Sequence, residues 1–277
     1  MTDDYYEDSH GNRIIGSYNG LKYAFSGFNS IVRIGENVNL NNSSFYIHSD
    51  VEIEIGDNCA IEESKWDVKQ HAYVRMGNKC IIKKCVWDTD GAHIEIGNEC
   101  NINDNYWIAD SQSCIKLGDR GLYRKGSIVA RGRVIIGRDF SNNAGFFLNA
   151  HKYTQIIIGD DVMCASNVVL RGNDGHSIFD VRTGMNINST EEISKNRKIV
   201  IGNHVWLGMH ATILYNAEIC DGSIIGTESL VKSRIPNNCI AAGIPARVIR
   251  KDIAWSRKDC ADQLMEHEQA YARLTEM

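Results

Sequence analysis

The chain has 277 residues, 43% of them apolar and 23% charged, with a formal net charge of -5; such values suit one sizeable folded core and exclude a disordered segment. The acidic balance excludes a general nucleic-acid binder, and nowhere is there an apolar run of about 18 residues that could cross a membrane. The opening MTDDYYEDSHG carries acids where a secretory leader has a positive region and an apolar core, so a cytoplasmic location is expected.

Residues 1–30 read as a lead-in, and beyond them one short phrase keeps returning. It is plainest in VIIGRDF from Val134, IIIGDDV from Ile156 and IVIGNHV from Ile199. The repeated glycines are Gly16, Gly35, Gly56, Gly77, Gly97, Gly118, Gly137, Gly159 and Gly202, with steps of 19, 21, 21, 20, 21, 19, 22 and then 43 residues. A fixed period near 20 residues predicts a solenoid, each step being one coil. A six-residue sub-period shows near the end, where Ile201, Leu207, Ile213, Ile219, Ile225 and Val231 recur, and it predicts a parallel β-helix with three short strands per coil. Glycine and asparagine are expected at the corners because they tolerate positive φ.

Two inward ladders are expected in the earlier coils. Cys59, Cys80 and Cys100 follow their glycines by one offset, where a small inward residue is wanted. The nine cysteines lack CxxC pairing, so all are read as free thiols, with neither a disulfide framework nor a zinc knuckle. Phe45, Trp66, Trp87 and Trp107 each lie eleven residues after the repeat's apolar position, and the same offset later holds Ile128, Phe147 and Val169. Core packing is favoured over a sugar-stacking strip, because neither Ile128 nor Val169 can stack on a ring.

The 43-residue step between Gly159 and Gly202 is one coil plus an excursion, at about 172–198, reading GNDGHSIFDVRTGMNINSTEEISKNRK. A long polar loop bracketed by regular coils is a candidate functional element, with His176 its candidate base. Between Lys232 and Lys258 there are seven basic residues and one acid, Asp252. After Pro245 the coils stop, and Ala261, Leu264, His267, Tyr271 and Leu274 at helical spacing predict a short amphipathic helix within 255–277.

With these repeats and the closing VWLGMHATILYNAEICDGSIIGTESLVKSRIPNNCIAAGIPARVIRK, the chain resembles the hexapeptide-repeat acyltransferases over roughly residues 30–250. Its ending is similar to those of the maltose, galactoside and polysialic-acid O-acetyltransferases. The resemblance implies an all-β solenoid, a left-handed parallel β-helix at 31–250, followed by a helical tail at 251–277. It also implies an acetyl-CoA-dependent homotrimer that acetylates a hydroxyl of a capsular, lipopolysaccharide or related glycan without a metal. A sugar hydroxyl is a poor nucleophile, so an imidazole must remove its proton as it attacks the thioester. His176 would do this, with Asp180 or Asp174 orienting the ring, and with direct transfer because no cysteine has a nucleophile's motif.

The resemblance further implies that backbone N–H groups near Gly208 hold the thioester oxygen and that Trp206 walls the acceptor pocket. Asn143 matches an assisting asparagine. Asn149 stands where relatives have an acceptor-binding aspartate. Lys232, Arg234, Ala241, Arg247 and Arg250 would meet the coenzyme, the bases matching its phosphates. Three other readings stay open: N-acylation of an amino sugar or nucleotide-linked amino sugar, a zinc enzyme of the carbonic-anhydrase type, and a non-catalytic scaffold. The zinc reading is disfavoured because His204 and His210 should occupy adjacent corners up to roughly 20 Å apart, while the offsets of His48, His71 and His93 drift.

Overall fold

The computed structural model describes residues 4–258 and 263–276. Short strands such as Glu52–Ile55 and His93–Ile96 bury every second side chain, and each pairs in parallel with its equivalent one coil away. Strand, corner, strand, corner thus winds a three-faced prism with the core along its axis. The first face holds the inward column Val134–Ile156–Ile199. The second holds Asn142–Cys164–Leu207–Ile225–Ala241, and the third Trp107–Ile128–Leu148–Leu170–Ile213–Val231.

From Gly35 on, the repeated glycines serve close approach, and of the nine only Gly16 has positive φ, while asparagines such as Asn58, Asn167 and Asn216 take it at corners. A Cβ on Gly56 would lie 2.6 Å from the Gly77 carbonyl carbon, so successive coils could not stack there. The left-handed corner position falls two residues later, at Asn58, Lys79, Glu99, Arg120, Asp139, Asp161 and His204. Between them runs a side-chain ladder. The N–H of Asp57 donates to Asn78 Oδ1 (2.8 Å), that of Asn78 to Asn98 Oδ1 (2.9 Å) and that of Asn98 to Asp119 Oδ1 (2.7 Å). Arg138 interrupts it, and Asp160, Asn203 and Asp221 resume it.

Phe45, Trp66, Trp87 and Trp107 stack inside the prism at centroid spacings of 4.4, 4.1 and 4.7 Å, fully buried. Core packing is therefore the right reading. The ladder continues through Ile128, Leu148 and Leu170, however, while Phe147 and Val169 turn to the outer side. The spacing from the repeat's apolar residue lengthens to twelve from Ile136 onward, and a one-residue shift of register reverses the face. Cys59, Cys80 and Cys100 are buried, each Sγ donating to a carbonyl of the next coil at 3.1–3.2 Å. The described cysteines are free. Burial pushes the Cys85 thiol up to about 12.

Stacking begins upstream of residue 31, since Arg13–Ile15 already pairs in parallel with Ile31–Ile34. Tyr6, Tyr18, Tyr23 and Phe25 pack edge-to-face and stacked against the core at that end. At the other end, Ile240–Gly243 and Ala246–Arg250 form an antiparallel pair. The tail then lies along the corner between the first and second faces. Trp255 stacks on His204 (4.1 Å), Arg257 reaches Asp161, Ser141 and Asp139, and Tyr271 returns to His204 (5.0 Å). The tail helix is one turn, Glu266–Gln269, shorter than the 255–277 span in which it was expected, and Ala261 lies outside the described residues. Tertiary bonds to corner residues, such as Asn238 Nδ2 to Tyr271 O (2.6 Å), hold the rest as an extended strap. No described helix is long and apolar enough to cross a membrane.

Candidate functional site

The excursion leaves the third face after Val169–Arg171 and rejoins the first at Lys198–Ile201. An ion pair between a buried guanidinium and a more exposed carboxylate closes it. Arg197, 6% exposed, donates to Asp174 Oδ2 (3.0 Å) and lies over the Tyr215 ring at 3.8 Å. Asn188, also buried, donates to Asp174 Oδ2 (2.9 Å) and to the His176 carbonyl (2.8 Å), and accepts from Ile178 N–H (2.6 Å). Burial works to raise the Asp174 carboxyl, but hydrogen bonds from Asn188, Tyr215 and Arg197 outweigh it and hold the group low. Breaking the pair leaves the buried Arg197 guanidinium without its carboxylate partner.

His176 itself is exposed, its backbone pinned by Asn188. The two acids expected to orient its ring are engaged elsewhere. Asp174 anchors the loop, and Asp180 Oδ1 accepts from Arg182 N–H, Thr183 N–H and the Thr183 hydroxyl at 2.9, 2.8 and 3.1 Å, building its own turn. Asn149 lies opposite Arg171 in the ladder, and Arg171 Nη2 comes within 3.3 Å of where a Cβ on Gly175 would sit. Asn149 and the loop residue before His176 thus flank one arginine. His151 occupies the same corner one coil earlier, partly buried; burial, then the Arg131 charge, lowers it from the ordinary imidazole range.

A second group forms at the corner between the second and third faces. Because Asn142, Cys164, Leu207, Ile225 and Ala241 stack in register, the residues that follow them also stack: Asn143, Ala165, Gly208, Gly226 and Ala242. Apart from exposed Asn143, all of them are glycine or alanine. The Gly208 N–H donates to Ile225 O (2.8 Å), and a Cβ there would lie 2.6 Å from that oxygen. The ladder therefore uses this amide, and the expectation for an oxyanion donor moves to the next one, Met209. Trp206 is on the outer side of the second face, 37% exposed, with Trp255 at 5.8 Å.

The predicted coenzyme strip divides. Arg247 opposes Ala242 at that corner, and exposed Arg250 opposes Ile240 at the far end of the same hairpin. Lys232 is exposed on the corner between the third and first faces, and Arg234 points out from the first face toward Glu218 at 3.8 Å. Ala241 is fully buried with its side chain in the core, so only its backbone could meet a ligand.

His204 and His210 lie at different corners with partners of their own. Buried His204 is sandwiched by Trp255 and Tyr271 and bonded to Asp161 (2.6 Å), while His210 meets Asn167 (3.0 Å) and Glu228 (2.5 Å). Sequence reasoning missed Arg197, Asn188 and Tyr215. The signal available was a pair of opposite charges, Asp174 and Arg197, near the two ends of the insertion.

Residues 198–233 match the family model described as bacterial transferase hexapeptide (six repeats). The chain is 37% identical over 157 residues to the polysialic acid O-acetyltransferase of Escherichia coli O1:K1 / APEC, covering 55% of this chain and 49% of that protein. It is 39% identical over 123 residues to the galactoside O-acetyltransferase of Escherichia coli (strain K12), covering 43% and 54%. The chain thus spans about half the length of these curated relatives. In fold it is similar to the solved structure of the polySia specific acetyltransferase NeuO, with a TM-score of 0.54 and 22% identity over 91% of this chain and 97% of that one. The last coils thus carry the repeat of the bacterial hexapeptide transferases, and the near whole-length likeness to that solved structure shows the fold, a parallel β-helix.

Proposed function

We propose that the protein is an acetyl-CoA-dependent O-acetyltransferase acting on a carbohydrate hydroxyl, with each site shared between neighbouring copies of a homotrimer in the cytoplasm. The observation that carries this is the separation of the two groups. His176 belongs to the corner between the third and first faces, Asn143, Gly208 and Arg247 to the corner between the second and third. A full face lies between them, up to roughly 20 Å of extended chain. One prism cannot bring both onto one bond, whereas a rotational neighbour can. Outward apolar side chains flank the excursion's corner, with Ile135, Ile157 and Val200 in one column and Phe147 and Val169 in the other. They are the surface a neighbour would cover.

The run of small residues at this corner suits an extended thioester laid along the backbone. Small residues let the pantetheine arm approach the backbone, and Arg247 offers a cation for a phosphate. The coenzyme supplies an activated acetyl group when bound. The chain's residues do the remainder: His176 Nε2 or Nδ1 takes the acceptor hydroxyl's proton, the Met209 N–H stands ready for the thioester oxygen, Asn143 orients, and Trp206 and Asn149 bound the acceptor. Purified protein with acetyl-CoA, screened by mass against a panel of glycans and amino sugars, should acetylate a glycan hydroxyl. Acetylation of amines alone would replace this reading by N-acylation. Co-expressing His176→Ala with Asn143→Ala should restore activity at about a quarter of the interfaces, those where both intact halves meet. Failure to complement would reject the shared site.

A further inference from the structure

Arg138 interrupts the corner ladder where every other rung from Asp57 to Asp221 has an Asp or Asn. A guanidinium has no acceptor, so the Asp119 N–H loses its side-chain partner there. At the same place a cleft of about 640 Å³ opens between the coils and the C-terminal strap, lined among others by Arg120, Arg138, Asp139, Arg257, His267 and Tyr271. Three guanidiniums meet three carboxylates. Arg120 donates to both oxygens of Asp139 (2.7 Å each), Arg138 pairs with Asp160 (3.0 Å) and Arg257 with Asp161 (2.5 Å).

These pairs cancel in charge, so the cleft does not attract a polyanion. Each pair instead presents donors and acceptors side by side, the pattern that sugar hydroxyls match, and the Arg120 and Arg138 side chains are 49% and 61% exposed. The cleft also shares a face with Trp206. Arg257 Nη1 donates to Ser141 Oγ (2.7 Å), and Ser141, Met163 and Trp206 stack in register, about 10 Å from first to last at the usual strand spacing. We propose that this cleft binds an uncharged, hydroxyl-rich segment of a glycan chain, which rests on the acceptor reading above and makes the acceptor an oligo- or polysaccharide held at two places.

The test uses the His176→Ala protein, which retains the cleft, on an array of immobilised neutral and acidic glycans, with and without Arg138→Asn. Asparagine restores the rung, so the second change should raise Tm slightly while cutting retention of neutral chains at least tenfold. Arg120→Gln should lower retention similarly without touching the ladder. Undiminished retention in both variants, or retention limited to acidic glycans and abolished by high salt, overturns the proposal. Acetyl transfer to chains with no array retention also overturns it and leaves the acetyltransferase reading standing; Arg138-dependent retention without any transfer does the reverse.

Discussion

The coils before Gly118 and those after it share one backbone plan and differ in almost everything else. The early coils stack Phe45 and three tryptophans inside and carry cross-coil ion pairs outside, among them Lys69–Asp88 and Lys116–Glu95. The late coils set their third-face strand one residue further from the repeat's apolar position, line a corner with small residues, and carry the excursion and every candidate site residue. A solenoid permits this division because each coil touches only its neighbours, so stability and chemistry can be assigned to different stretches.

His176→Ala tests the late coils with the largest expected effect. Turnover should fall on the order of 10²–10⁴, the usual worth of positioned proton transfer, with thermal stability unchanged by calorimetry. Near-normal turnover would shift the role to His151, which the same assay on His151→Ala would reveal. Trp87→Ala tests the early coils. It should cost about 3–5 kcal/mol in denaturant unfolding, moderated because the three buried indole N–H groups have no hydrogen-bond partner. Turnover per folded molecule should stay constant, and a fall in it would break the division.

A third test concerns the strap that joins late coils to the tail. Burial works to raise the Asp161 carboxyl, and His204 and Arg257 outweigh it, so the group is held below the ordinary carboxylate range. A carboxylate lowered by folding contributes stability above its unfolded pKa of about 3.9 and loses it as pH falls through the folded value. The Trp255 emission, taken by difference against Trp255→Phe, should therefore hold steady from about pH 6 to about pH 4 and change below, and Asp161→Asn should flatten the change. The smallest effect is expected for Arg247→Ala, about a threefold to tenfold rise in KM for acetyl-CoA with little loss of kcat, read from initial rates.

Much of this architecture was legible because a coil repeats its own instructions. The Ile-Gly phrases fixed the period, and the tryptophan spacing marked the axis. Phe147 and Val169 were misassigned because a constant offset was carried across a one-residue shift of the third-face strand. Glycine was expected at corners for its tolerance of positive φ, which Gly16 shows, whereas the crowding that selects the glycines from Gly35 on comes from residues one coil away. His176 could be singled out by its place in an insertion; the roles of Asp174 and Asp180 could not, since partners such as Arg197 and Thr183 depend on how the loop folds back. The division of the basic strip was also invisible, because Arg234 and Arg247 are near in sequence but separated by a corner and a hairpin.

The excursion has a consequence in chain statistics. Each coil must bring residues about 21 apart into register, and the coil with the excursion does the same over 43. Closure entropy grows with the logarithm of length, so this doubling costs only about 0.6 kcal/mol, which the Asp174–Arg197 pair opposes. A corner of such a prism is therefore a nearly neutral point of insertion, where lineages can exchange one loop for another and change what the enzyme acts on without refounding the scaffold.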